Sequence, residues 1–376
     1  MNPAAITTLI DTLRLGGTPD TALPSRWQVA DTRGLLDLVD YEGAAIWLFR
    51  RLRAVGALDR IPPAIAAALR DRAFEDTARR MQIEDEARHA LDVLDEAEIP
   101  VVAIKGIARC ALANRYPYLD ARATSDVDLM VPQARLSDAD QALRHAGYDT
   151  AEVNCTVLAQ HHHLPPLQRG PITIELHSST SMYLPPERAW ERASGSAEMV
   201  DLGGRPVRVP AATEIAWSAI SHSIEDDAAG FRLKRFLEVA ALAGEGAPID
   251  WELIEHRVAT SREHNPEIPE PERRDYLRAW LDAAMWFVTP ECRPAACAEP
   301  RFDIPALLRW RASVLSRRGW GGARWRAHLL EEGARAVIGM GLQPSPSDAS
   351  RSARLRRAAG NEASRAVFHA WKLLNA

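Results

Sequence analysis

Apolar residues recur every three or four positions through the first 98 residues of the chain, as in residues 6–13. This spacing places apolar side chains on one face of a helix. A longer helical stretch begins at Pro62-Pro63, where proline is tolerated because the first turn of a helix has no partner for its N–H. It is expected to end before Pro100. The pattern therefore predicts an N-terminal helical region over residues 1–98.

From residue 99 onward, short apolar runs alternate with helical stretches. Strands are predicted at residues 99–104, 127–131, 171–177 and 205–209. Helices are predicted between them, at residues 107–115 and 137–146. An alternation of strands and helices indicates a mixed α/β (or α+β) core with a small sheet, here over residues 99–212.

After residue 212 the helical spacing returns. Helices are predicted at residues 213–224, 231–243, 250–259, 271–287, 305–338 and 351–374. A Pro/Ser-rich stretch near residue 344 is typical of a linker. The chain is thus divided further into a C-terminal helical domain over residues 213–341 and a linker with a basic amphipathic helix over residues 342–376.

The composition is that of a globular protein, with 47% hydrophobic and 26% charged residues. The four cysteines show no CxxC spacing, which favours a reducing compartment. No apolar run approaches the roughly 18 residues of a membrane span, and the N-terminus lacks a basic signal region. A cytoplasmic protein without a membrane span is expected.

The net charge of −5 is unevenly distributed along the chain. Residues 301–376 hold fourteen Lys/Arg against five Asp/Glu, which is +9, so the other 300 residues sum to −14. Such a basic segment suits RNA, a membrane surface or an acidic partner. A solvated helical face is the preferred interpretation.

The chemistry is indicated by Asp126 and Asp128, which lie two residues apart where a strand is predicted. Side chains at i and i+2 of a strand share a face, so these two carboxylates repel each other unless a cation neutralises them. Oxygen ligands favour Mg²⁺ or Mn²⁺. The alternative is a strand edge with two solvated aspartates.

Two further features favour a metal and phosphate site. A predicted strand ends at Lys105-Gly106 and a helix follows, so free N–H groups and a lysine are available for phosphate oxygens. Glu175, on another predicted strand, can supply a third carboxylate. Phosphoryl transfer depends mainly on such positioned metals and charges.

The order strand–KG–helix, then RATSDVDLMV, then ITIELH resembles the polymerase-β-like nucleotidyltransferases. It is most similar to their bacterial uncharacterised nucleotidyltransferase family, over roughly residues 97–245. The resemblance implies that Asp126 and Asp128 bind the metal, and that Glu175 completes the site and helps to deprotonate the acceptor hydroxyl. It also implies a set of residues that line or approach the triphosphate: Lys105, Gly106, Ser125 and Arg122. The chain departs from many members of the superfamily at the turn, where Ile107 follows Gly106 in place of Gly or Ser.

Three other positions carry weaker predictions. His177 shares the strand face of Glu175 and either contacts the acceptor or nucleotide or makes a buried hydrogen bond. Lys234 is a candidate phosphate contact, against the alternative of an ordinary helix surface. His161–His163 cannot all face one ion on a regular element, so a polar loop is preferred there.

The resulting hypothesis is a Mg²⁺- or Mn²⁺-dependent nucleotidyltransferase that moves a nucleoside monophosphate from an NTP, with ATP expected, to an acceptor hydroxyl. The acceptor class stays open among protein, peptide, RNA and small molecule. One alternative is a toxin-like nucleotidyltransferase that acts on tRNA or protein. Another is a catalytically silent scaffold that binds nucleotide or peptide.

Overall fold

A computed structural model describes the central part of the chain. The described residues are 9, 11–14, 27, 32–150, 163–181, 183–225, 233–260, 270–288, 290 and 293–295. The helices predicted at 305–338 and 351–374, the linker between them, and His161 and His162 lie outside these residues.

Within residues 32–101, three α-helices precede the sheet. They are α1 (Thr32–Glu42), α2 (Ala45–Ala54) and α3 (Pro63–Glu96). Pro63 takes the first position of α3, as the sequence predicted, and Ile65, Leu69 and Leu91 are among its buried residues. This helix packs against the central sheet, so the N-terminal helices support the strands that carry the acidic residues.

The core is a five-stranded mixed sheet, which confirms the predicted fold class. Its strands are β1 (Val102–Ala103), β2 (Val127–Met130), β3 (Asp149–Thr150), β4 (Leu167–Arg169) and β5 (Ile172–His177). They lie in the order β1-β2-β5-β4-β3, with β2 parallel to β5 and the other pairs antiparallel. Helix α4 (Lys105–Leu112) joins β1 to β2, and α5 (Leu136–His145) follows β2.

The strand predicted at 205–209 exists, but it does not join the central sheet. It is β7 (Arg205–Val209) and pairs with β6 (Glu198–Leu202) in a separate two-stranded sheet. The turn between them places Gly203 and Gly204 at φ +60° and +90°, the left-handed region that glycine adopts without a steric penalty. Helix α6 (Pro186–Gly195) precedes this hairpin. Strands β3, β4 and β6 and helix α6 were not predicted; β3 and β4 have only two and three residues, too few to show alternation.

Four helices follow the hairpin in the described part of the chain: α7 (Ala212–Glu225), α8 (Leu233–Gly244), α9 (Trp251–Thr260) and α10 (Glu270–Trp286). Helix α8 is buried along most of its length and packs on α7 and α10. The Phe236 ring lies 4.9 Å from the Trp280 ring across the last contact. None of the described helices is long and apolar enough to cross a membrane.

Candidate active site

The register of two parallel strands brings the acidic residues together. Asp128 on β2 is the partner of Glu175 on β5. Registered partners in neighbouring strands project to the same face, and His177, two residues after Glu175, shares that face. Asp128, Glu175 and His177 each offer a ligand atom, and these atoms lie within 4.8 Å of one another. We call these three residues the carboxylate–histidine cluster.

Lys105 completes the contacts of the cluster. Its Nζ donates a hydrogen bond to Asp128 Oδ1 at 2.8 Å and lies 3.4 Å from His177 Nε2. His177 Nε2 is also 2.8 Å from Asp128 Oδ1 and 3.4 Å from Glu175 Oε2. Lys105 is the first residue of α4, and its φ of +46° is left-handed, which costs a residue with a side chain about 1–2 kcal/mol. The strand-to-helix junction thus holds a strained lysine directly over the buried aspartate.

The charges around the cluster separate the acids into two kinds. Burial raises the pKa of Asp128, but Lys105 and His177 outweigh burial and hold that pKa well below its usual range. Burial likewise opposes ionisation of Glu175, yet the hydrogen bond from His177 and the charge of Lys105 leave its pKa lowered. Both carboxylates are therefore ionised at neutral pH.

Asp126 behaves differently. Burial, Asp128 and Glu175 all raise its pKa, although Ser125 Oγ donates a hydrogen bond to its Oδ1 at 3.0 Å. It lies just before β2 begins and does not belong to the group within 4.8 Å. The structure thus brings Asp128, Glu175 and His177 closest together, with Asp126 at the edge, whereas the sequence had suggested Asp126, Asp128 and Glu175 as the metal ligands.

The cluster fits a divalent cation. Two carboxylates are ligands for Mg²⁺ or Mn²⁺, and an imidazole favours Mn²⁺ over Mg²⁺. The Lys105 ammonium group shows that Asp128 accepts a positive charge at 2.8 Å from its Oδ1. Burial is the main cause of the raised pKa of Asp126, and Asp128 and Glu175 raise it further, effects that a bound cation would oppose.

The glycine of the Lys105-Gly106 turn is explained by packing. A Cβ on Gly106 would lie 2.4 Å from Cγ2 of Thr124, which is closer than two carbon atoms can approach. The sequence interpretation had attributed this glycine to the approach of a phosphate. Thr124 occupies that space, and a role for the Gly106 N–H in phosphate binding stays a prediction.

A pocket of about 710 Å³, including its open mouth, adjoins the cluster. Lys105 borders it, and residues of α4, α6, α7 and α8 form its walls. The walls combine apolar side chains, such as Leu184 and Trp217, with arginines. A ligand with an apolar part and a negatively charged part matches these walls.

Other predicted site residues lie at different distances from the cluster. Arg122 lines the pocket and makes an ion pair with Glu238. Ser125 contacts Asp126, as described above. The described lining of the pocket does not include Lys234, whose Cδ lies 3.1 Å from the position that a Cβ on Gly43 would take. His163, the described member of the histidine run, has its ring 5.1 Å from the ring of His177.

Sequence reasoning missed five charged residues that line the pocket: Arg109, Arg192, Glu214, Arg235 and Glu238. A signal for the last two was present, because they are three residues apart in a helix whose other residues are mostly apolar. Charged side chains are rarely buried unless they are paired. Arg109 is four residues after Lys105 and therefore lies on the same helix face.

A family model described as an uncharacterised nucleotidyltransferase matches residues 28–266, more than half of the chain. No curated protein and no solved structure matches the chain.

Proposed function

Because the chain belongs to the uncharacterised nucleotidyltransferase family, we propose that it transfers a nucleoside monophosphate from an NTP, with ATP expected, to an acceptor hydroxyl. The acceptor oxygen forms a bond to the α-phosphorus, and the bond between that phosphorus and the α–β bridging oxygen breaks. Pyrophosphate carries away the bonding electron pair. The hydroxyl proton passes to a base.

The observation that carries the proposal is the register of β2 and β5. It places Asp128 beside Glu175, and His177 and Lys105 both contact Asp128. Asp128, Glu175 and His177 would hold a divalent cation, with Asp126 joining from the edge of the cluster. When bound, such a cation neutralises phosphate charge and lowers the pKa of a coordinated hydroxyl.

Glu175 is the proposed base for the acceptor. Its side chain is 21% exposed, compared with 3% for Asp128 and 0% for His177, so it is the member of the cluster that a second substrate reaches. Its lowered pKa keeps it ionised at neutral pH, which is the form that accepts a proton.

Lys105 is the proposed phosphate contact. A lysine is a compact positive charge with three donors, and this one borders the pocket while it donates to Asp128. With a cation held by Asp128, the ammonium group of Lys105 would be free to donate to a phosphate oxygen instead. Gly106 and Ser125, adjacent in the turn and before β2, are proposed to line the same phosphates through their N–H or hydroxyl groups.

The test is transfer from α-labelled NTPs in Mg²⁺ or Mn²⁺ to candidate proteins, peptides, RNAs and small molecules. Asp128→Asn is expected to reduce transfer by about 100-fold or more, because even residues that only orient metal ligands cost about 10- to 100-fold. Asp85→Asn is the matched control, since Asp85 is 81% exposed on α3. The proposal fails if the wild-type protein neither transfers label nor binds any nucleotide, or if both variants are equally active.

A further inference from the structure

The floor of the pocket holds a buried group of charges outside the carboxylate–histidine cluster. Glu238 of α8 forms ion pairs with Arg109 of α4 and with Arg122, which lies between α4 and β2. Arg109 Nη1 lies 3.3 Å from each carboxylate oxygen of Glu238. Arg109 and Glu238 side chains are both only 4% exposed, and that of Arg122 is 20% exposed. Arg109, Arg122 and Glu238 are here called the arginine floor.

The arginine floor has more positive than negative charge. Two arginines face one glutamate, and Arg235, which also lines the pocket, adds its charge nearby. Burial, together with the neighbouring Arg109, lowers the pKa of Arg122 to about 10. The attraction of Glu238 opposes these effects on the pKa of Arg122 without cancelling them.

The other charges at the wall do not offset this excess. Lys105 is paired with Asp128. Glu214 is held by Arg257 in a bidentate pair, with Nη2–Oε1 at 2.6 Å and Nη1–Oε2 at 3.0 Å. Lys105 is thus held by the carboxylates of the cluster and Glu214 by Arg257, so neither changes the surplus within the arginine floor.

The guanidinium groups also retain donors. Within the described residues, Nε of Arg109 and Nε of Arg122 are buried and have no hydrogen-bond partner. A buried N–H without an acceptor is costly, and an anionic oxygen is the acceptor that gains most from such a donor. Excess charge and spare donors are thus two independent indications of an anion.

We infer that the arginine floor binds a phosphate or polyphosphate group without the help of a metal. Guanidinium groups offer paired donors that match phosphate oxygens, and Glu238 acts as the positioning residue that holds Arg109 and Arg122 in place. Arg109 follows Lys105 by one helical turn and both line the pocket, so the anion lies next to the carboxylate–histidine cluster. On the proposed function, the group is either the polyphosphate of the NTP or a phosphate on the acceptor.

The test uses inorganic pyrophosphate, titrated calorimetrically into the full chain in the presence of EDTA. Wild-type protein is expected to bind it, and Arg122→Gln to weaken binding about tenfold or more. Arg122→Lys keeps the positive charge but loses the paired N–H donors of the guanidinium group, so an intermediate affinity is expected. Arg115→Gln is the matched control, with the same change of charge at an arginine that is 48% exposed and paired with Glu198.

The inference is overturned if wild-type protein does not bind pyrophosphate in EDTA, an outcome that needs no variant to fold. Equal weakening in Arg122→Gln and Arg115→Gln, with both variants shown to be folded by circular dichroism, also overturns it. Asp128→Asn separates the two proposals, since it removes label transfer on the proposed function but does not weaken metal-free pyrophosphate binding.

A second titration identifies the source of the anion. Pyrophosphate is added to protein saturated with a nonhydrolysable NTP and Mg²⁺. Loss of pyrophosphate binding assigns the arginine floor to the nucleotide's own polyphosphate. Retained binding assigns it to a phosphorylated acceptor.

Discussion

Replacing Gly106 with alanine tests how the Lys105-Gly106 turn is built. The new Cβ would lie 2.4 Å from Cγ2 of Thr124 and 3.2 Å from its Oγ1. Carbon atoms in contact lie about 3.5–4.0 Å apart, so the neighbours must move by roughly 1 Å. Overpacking of this kind costs about 1–3 kcal/mol. Alanine recovers up to about 1 kcal/mol through its better helix propensity. The expected net loss is about 1–2 kcal/mol in the free energy of unfolding.

The partner change is Thr124→Ser, which removes the Cγ2 that the alanine would meet. Alone, it is expected to cost about 0.5–1 kcal/mol, the value of one buried methyl group. The hydroxyl that lies 3.4 Å from Arg109 Nη2 is kept. In the double variant the clash is gone, so its free energy of unfolding should be within about 1 kcal/mol of the wild-type value. The coupling energy between the two changes is then about 1–2 kcal/mol, as for residues in contact.

The assay is urea unfolding of the four proteins of the cycle, followed by tryptophan fluorescence, with NTP binding measured on each. Additive losses in the double variant would refute the packing explanation of Gly106. If the double variant recovers its stability but not its NTP binding, the Gly106 backbone also serves the phosphates. Recovery of both assigns the glycine to Thr124 alone.

Three further changes test other parts of the structure. His177→Ala is expected to weaken Mn²⁺ binding more than Mg²⁺ binding, because an imidazole ligand favours the softer ion. Titration of the Mn²⁺ electron paramagnetic resonance signal measures this, and equal loss for both ions would exclude His177 as a ligand. Asp120, 6% exposed, is paired with Arg50 and Arg80 of the N-terminal helices. Asp120→Asn should therefore lower the free energy of unfolding, measured in urea, by about 2–3 kcal/mol, and an unchanged value would show that these ion pairs do not stabilise the fold. Burial raises the pKa of Glu245 to about 7, although the Tyr118 N–H and Arg50 oppose this. A carboxyl with a raised pKa in the folded state contributes stability at low pH that is lost as pH rises from about 4.5 through 7. Glu245→Gln should therefore flatten the dependence of the urea-derived free energy of unfolding on pH in this range, and an unaltered slope would contradict the raised pKa of Glu245.

The central strands could be predicted because their sequences carry strong local signals. Val127–Val131 and Pro171–His177 are apolar or alternating, and their acids stand at positions that a strand projects to one side. To place Asp128 next to Glu175, one must also know that their two strands are neighbours. The family resemblance implied this. Strand register then fixed the contact, because a shift by one residue would turn Glu175 to the other face.

The remaining contacts depend on residues far apart in the chain. Arg109 and Glu238 are 129 positions apart, and the sequence around either residue does not predict their ion pair. Gly106 and Thr124 meet only because α4 packs beside the segment that enters β2. Lys234 was a candidate phosphate contact, which stays a prediction, and its aliphatic stem lies against Gly43, between α1 and α2. Such contacts follow from how helices dock on the sheet, and spacing along one segment does not contain that information.

The two charged groups of the site are complementary in a way that fits their proposed substrates. Asp126, Asp128 and Glu175 hold an excess of negative charge, of which Lys105 compensates part, and Asp128 and Glu175 add to the effect of burial in raising the pKa of Asp126. The arginine floor holds an excess of positive charge, and Arg109 adds to the effect of burial in lowering the pKa of Arg122. A divalent cation and a polyphosphate bound side by side would relieve both excesses at once. Each ligand would therefore strengthen the binding of the other, because Lys105, which borders both groups, would be free to bind phosphate once a cation replaced it at Asp128.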